Sequence, residues 1–410
     1  MDITGLYGKQ ADAAKAEKRF SDLEKQHLKL FGTAPEAVFS TSGRTELGGN
    51  HTDHNMGKVL AGSINLDTIA AVHAVAEKRV TFISEGYPEI SVDLAYTGAS
   101  PESYGTTDAL IRGVAYAIEK RGGIVGGFCA NVSSGVFKGS GLSSSAAIEV
   151  LLGTIFNSLY NRGRFSTTEL AVMGQEAENI HFGKPSGLMD QIACANGGIV
   201  GIDFKNPARP VITPVHADFA DYGYNLVITT TGGNHADLTG DYASIPAEMK
   251  AVAAFFGKKH LREIDEAEFF ESIGKLRTQL DNDRAVLRAL HFFTENRRVD
   301  SMIRALTDRD IDSYLALVRD TGNSSFKYLQ NIYSPSSPAE QGISLACAMT
   351  ERFLGSDGAC RVQGGGFAGT IEAYIPIDRT VAYFRYMEKV FGSGCCTVLA
   401  IRNLPTMRVK

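Results

Sequence analysis

The stretch GSGLSSSAA, Gly139 to Ala147, has the composition of a loop that could meet an anion. Gly139 and Gly141 permit tight backbone turns and the close approach of a ligand. Ser143, Ser144 and Ser145 fall where a helix is expected to begin, and the free N–H groups of a helix N-terminus attract negative charge. Small side chains at Ala146 and Ala147 leave room for phosphates. No GxxxxGK[ST] occurs in the chain, and the third glycine of a dinucleotide fingerprint is missing. Read alone, the serines fit an ordinary N-cap on a buried helix equally well. A nucleophilic serine is the other chemical option, but there is no G-x-S-x-G elbow.

The elements around this loop must hold it in place. Gly127 to Ser133 reads as a strand entering it, and Ser144 to Tyr160 as the helix leaving it. Upstream, the pattern predicts a helix over Ala11 to Phe31, with Leu23, Leu28 and Leu30 as its apolar positions, then a short strand at Ala37 to Ser40. Further strands are expected at Thr68 to Val75, Val80 to Ser84 and Ile90 to Leu94. A helix over Asp108 to Arg121 would take Asp108 as N-cap, and another begins near Ser166, where Ser166 and Glu169 fit a capping box. Gly198 to Phe204 is a strand. The segment KNPARPVITPV then interrupts regular structure and marks a domain boundary, dividing the chain into 1–209 and 210–410. Strand Tyr224 to Thr230 follows, then mostly helical sequence to Leu354, and a closing alternation at Cys360–Gln363, Thr370–Ile375, Val381–Phe391 and Cys396–Ile401. Segregated helices and strands make this an α+β chain.

Net charge is −5, so nothing points to nucleic acid or another polyanion as partner. The six cysteines form no Cys-x-x-Cys pair, which fits a reducing compartment. The first twenty residues read as polar helix rather than signal peptide, and no apolar run approaches membrane-spanning length. A cytoplasmic protein with no membrane partner is the expectation.

Three further segments accompany the glycine–serine loop: GRTELGGNHTDHNMGKVL from Gly43, GLMDQ from Gly187 and RVQGGGFAGT from Arg361. In this order and spacing they resemble the motifs of the GHMP kinase superfamily, over about Phe39 to Ile401, and most of all those of galactokinases. The first motif of that family reads GRVNLIGEHTDYNxG, and Gly43, Arg44, Leu47, Gly49, His51, Thr52, Asp53, Asn55 and Gly57 match it. The resemblance implies a two-domain fold with the active site in the cleft between the domains. ATP would be held by Gly139, Ser140, Gly141, Leu142, Ser143, Ser144, Ser145 and Ala146.

By the same resemblance, Asp190 is the general base beside Arg44, whose charge would keep it ionised. Ser145 and Glu178 are the candidate Mg2+ ligands. Asn50, His51, Asp53, Gly187 and Tyr242 are the candidate sugar contacts, and Gly364 to Gly366 form a turn closing over the cleft. The chain departs from the family at Thr45-Glu46 in place of Val-Asn, at Asn50 in place of Glu, and at His54 in place of Tyr. The implied activity is phosphorylation of the C1 hydroxyl of galactose by ATP. Alternatives are another sugar, such as arabinose or N-acetylgalactosamine, and a non-catalytic sugar- and ATP-binding regulator; a serine-nucleophile hydrolase is a remote third.

Overall fold

The structure, a computed structural model, describes residues 1–9, 11–136, 141–232 and 238–410. Two sheets carry the fold. The larger is built from β1 (Ala37–Gly48), β2 (Lys58–Val75), β3 (Arg79–Ser84), β4 (Ile90–Asp93), β5 (Gly127–Ser134), β6 (Ile199–Asp203), β7 (Val211–Val215) and a last short strand, Met407–Arg408. That last strand flanks β1, and the order continues to β2, β5, β3 and β4, while β6 and β7 extend from the other half of β2. The smaller sheet uses β8 (Tyr224–Thr230), β9 (Ala359–Val362), β10 (Thr370–Pro376) and β11 (Cys396–Leu399), in the order β11-β8-β10-β9. Among the described residues only β3 and β5 pair in parallel.

β1 is buried along its whole length although Ser40 to Glu46 is polar. It sits in the middle of the fold, and its polar side chains find partners there rather than water. This is why a short strand ending at Ser40 is the wrong expectation from composition. Phe39, Val72 and Phe128 of the large sheet pack against helices Thr107–Lys120, Ser144–Tyr160 and Thr167–Ala177. On the opposite face lies helix Ala13–Phe31, capped by Asp12 and ended by Gly32 at φ 69°. Its buried stripe is Phe20, Leu23 and His27, whereas Leu28 and Leu30 face solvent. The helical period selects the first set, because three- and four-residue steps keep one face.

Two other local expectations change. Thr106, not Asp108, caps helix Thr107–Lys120 through the Ala109 N–H, and Asp108 pairs with Arg112 one turn on. The proline-rich segment does not end the first unit. Val211–Val215 pairs with β6 as an edge strand, where Pro214 sacrifices no needed donor, so the change of sheet comes between Val215 and Tyr224. The capping box of Ser166 and Glu169 is present with both of its bonds.

Between the sheets lie the long helices Asp283–Thr307 and Ile311–Ser324. One apolar cluster there joins Leu47 and Leu60 of the large sheet, Met302 and Tyr314 of the helices, and Ile228 and Tyr374 of the small sheet. The two halves therefore share a core. Among the described residues, no helix is long and apolar enough to cross a membrane.

Candidate active site

Arg44 sits just after a register shift in the pairing of β1 with β2. Such an irregularity re-aims a side chain, and here the Arg44 guanidinium turns to Asp190 in the first turn of helix Met189–Asn196. The pair is bidentate, with Nε donating to Oδ1 at 2.8 Å and Nη2 to Oδ2 at 3.2 Å. Nη1 donates to the Gly141 carbonyl at 2.6 Å, and the Arg44 backbone N–H donates to Leu142 O at 3.1 Å. β1 thus grips both the acid and the loop.

Ser143 stands at the N-terminus of helix Ser144–Tyr160 with φ 62° and makes no side-chain cap. Its hydroxyl donates instead to Asp190 Oδ2. The ordinary serine cap, one of the two readings open from sequence, is therefore absent, and Ser143 leaves the helix's first N–H groups to other acceptors. Gly139 and Ser140 lie outside the described residues. Gly141, Leu142, Ser144, Ser145 and Ala146 lie together in this turn and the start of the helix.

Burial alone would raise the Asp190 carboxyl. The Arg44 charge, with hydrogen bonds from Arg44 and Ser143, outweighs it and holds Asp190 below the usual carboxylate range. Its side chain keeps 29% of its surface open, towards a cavity that Arg44 also borders. A carboxylate has about four acceptor positions, and Arg44 and Ser143 use three, which leaves one for an incoming hydroxyl.

His51, Asp53, Gly187 and Tyr242 border the same cavity, whereas Asn50 does not. Both Asn50 amide hydrogens are used, on Glu46 Oε1 at 2.9 Å and Gly364 O at 2.8 Å, and its oxygen accepts from Asn331 at 2.8 Å. His51, at φ 58°, is pushed by burial to a pKa of about 3 and is neutral. Its Nε2 faces the Gly365 carbonyl at 3.0 Å and so carries the proton, while Nδ1 is buried with no partner among the described residues. Tyr242 lies with its ring centroid 4.9 Å from that of His51. It presses on the hairpin turn, where a Cβ on Gly365 would fall 2.3 Å from Tyr242 Cε2. The Gly364–Gly366 segment does connect β9 to β10, as a hairpin would, and Gly364 and Gly365 border the cavity.

Ser145 and Glu178 come together, with Oγ donating to Oε1 at 2.9 Å. Glu178 opens a π-helical turn after helix Thr167–Ala177, an irregularity common at functional sites. Lys184 Nζ, at 2.9 Å, and the side chains of Ser186 and Gln191 also bind its carboxylate. Lys184 and Ser186 were not anticipated, though both lie in the GKPSGLMDQ segment that precedes Asp190. Glu46, noted in the sequence only as a departure, borders the cavity too and is paired with buried Arg361.

The chain resembles known proteins over most of its length. Residues 25–74 match the family described as the galactokinase galactose-binding signature, and residues 109–198 the GHMP kinases N terminal domain. The galactokinase of Glaesserella parasuis is 31% identical over 370 residues, spanning 88% of this chain and 90% of that protein. The galactokinase of Streptomyces coelicolor is 29% identical across 89% of this chain and 91% of its own. The crystal structure of Lactococcus lactis galactokinase complexed with galactose has a TM-score of 0.81 at 22% identity, covering 95% of this chain and 100% of that one. Likeness of sequence sustained over nearly the whole length, on the same fold, means that this chain belongs to the galactokinase family of GHMP kinases.

Proposed function

We propose that this protein transfers the γ-phosphoryl group of ATP to the C1 hydroxyl of galactose, giving galactose 1-phosphate and ADP. The observation that carries the reading is the Asp190 carboxylate. It is ionised beside Arg44, tied to the phosphate loop through Ser143, and left with one open acceptor position facing a small cavity.

The sugar hydroxyl donates its hydrogen bond to Asp190, which fixes the oxygen for attack on the γ-phosphorus. As the new P–O bond forms and the bond to ADP breaks, the proton passes to the Asp190 carboxylate. Arg44 stays bound to Asp190 and offsets the negative charge gathered there. The N–H groups at the start of helix Ser144–Tyr160 receive phosphate oxygens. The Asp53 carboxylate accepts hydrogen bonds from the remaining sugar hydroxyls.

Mg2+ prefers oxygen donors, and the Ser145 hydroxyl and Glu178 carboxylate, 2.9 Å apart, fit that preference. Lys184 binds the same Glu178 oxygen at 2.9 Å and would have to move aside for a metal to reach it. When bound, the metal neutralises phosphate charge. We place the reaction in the cytoplasm, which supplies ATP and suits six free cysteines.

The test is ADP release with a panel of sugars. Turnover of galactose supports the assignment. Turnover of arabinose or an amino sugar but not galactose overturns it.

A further inference from the structure

Arg44 and Glu46 are two residues apart on β1. Pairing is regular across this stretch, with Arg44 opposite Ser63, Thr45 opposite Gly62 and Glu46 opposite Ala61. Arg44 and Glu46 therefore point to the same face, about 6.6 Å apart along the strand. Thr45, between them, turns the other way to donate to Glu372. Arg44 marks the reacting end of the cavity through its bond to Asp190. Glu46 stands one strand repeat farther along the same wall.

The Glu46 side chain is 2% exposed, and its two oxygens differ. Oε1 takes the Arg361 guanidinium and the Asn50 amide. Oε2 has no hydrogen-bond partner among the described residues, while the residue borders the cavity. A buried carboxylate anchored by one oxygen and open at the other is a rigid acceptor. Asn50 has no such freedom. Besides its two donor bonds, its oxygen accepts from Asn331 at 2.8 Å and from Ser325 at 3.4 Å, which fills the capacity of the amide. Against the family motif, acid and amide have exchanged places between positions 46 and 50, and the acid here is the one that reaches the cavity.

We propose that Glu46 is a specificity-determining residue of the sugar site, whose Oε2 accepts a hydrogen bond from a ring substituent hydroxyl remote from the reacting one. This rests on the reading of the cavity as a sugar site. It implies a neutral sugar bearing a hydroxyl donor there and disfavours one carrying an anion in its place, because two carboxylates would face each other.

The test compares wild type, E46Q and E46D on galactose and on each singly deoxygenated galactose, by kcat and KM. With wild type, one deoxy sugar should lose about tenfold or more in kcat/KM. In E46Q, KM for galactose should rise about tenfold, and the penalty for that one deoxy sugar should vanish while the other penalties remain. E46D keeps a charge for Arg361 but withdraws the carboxylate by one methylene, so it should also lose the discrimination; it decides the matter if E46Q does not fold. Equal losses on every sugar, or a wild-type pattern in E46D, overturn the proposal. Failure of wild type to turn over any sugar would overturn the sugar-kinase reading instead.

Discussion

Gly187 lies so close behind Asp53 that a Cβ added to it would fall 1.7 Å from Asp53 Oδ2. The two residues come from distant motifs, and the missing side chain of one is the space occupied by the carboxylate of the other. An alanine at Gly187 must displace the short Asp53 side chain. G187A is therefore expected to raise KM for the sugar about tenfold or more, the value of a hydrogen bond to a charged group, with little change in KM for ATP. Steady-state kinetics with each substrate varied in turn measures the split.

The bidentate contact of Arg44 with Asp190 sets a second expectation. D190N keeps the shape of the side chain but removes the charge and the proton acceptor. Loss of kcat by about 10²- to 10⁴-fold is expected, with ATP affinity almost unchanged. Calorimetric titration of nucleotide into the variant, beside its turnover, separates the two effects. Turnover close to wild type would remove Asp190 from the role of base.

Asn50 and Glu46 touch at 2.9 Å, so a single N50E exchange would set two carboxylates against each other in a buried site. It would also lose the donors to Gly364 O. A destabilisation of about 3 kcal/mol is expected. The paired exchange E46N/N50E keeps one acid and one amide and should recover a large part of that loss. Urea unfolding of the four members of the cycle gives the coupling between the positions.

His27 and His73 lie on the far side of the large sheet and share one hydrogen bond of 2.7 Å. Burial, with the charge of His73, lowers the His27 pKa from 6.5 to about 4. The neutral ring is the form the fold accommodates, while the unfolded chain takes up the proton at higher pH. Its contribution is therefore present above pH 6.5 and is lost as pH falls from there towards about 4. Urea midpoints across that window should fall for wild type and fall less for H27Q.

Part of the site was legible because Arg44, Ser145 and Asp190 lie in short motifs. Arg44 meets Asp190, and Ser145 meets Glu178. Helix Ser144–Tyr160 and strand Tyr224–Thr230 have the expected bounds, since each is apolar with clear breaks at its ends. β1 was cut short for the opposite reason: Ser40 to Glu46 is too polar for a core strand unless the partners are known in advance, and those partners come from remote segments. Glu372, which accepts from Thr45, is one of these. The same blindness hid the roles of Glu46 and Asn50. Types and spacing show that acid and amide have exchanged places, but only the positions of Arg361, Asn331 and the Gly364 carbonyl decide which side chain is consumed by the protein and which is free.

The buried guanidinium of Arg402 donates to the hydroxyl of Ser40, 362 positions earlier in the chain, beside the strand that flanks β1. The strand that carries Arg44 thus gains its outer neighbour from a part of the polypeptide almost as remote as the chain allows. Closing so large a loop is entropically slow, and folding of this half should lag behind that of its local helices. Until the loop closes, β1 presents an unpaired edge able to add a strand from another molecule. Recovery from denaturant should therefore fall steeply as protein concentration rises, a vulnerability of assembly rather than of the finished enzyme.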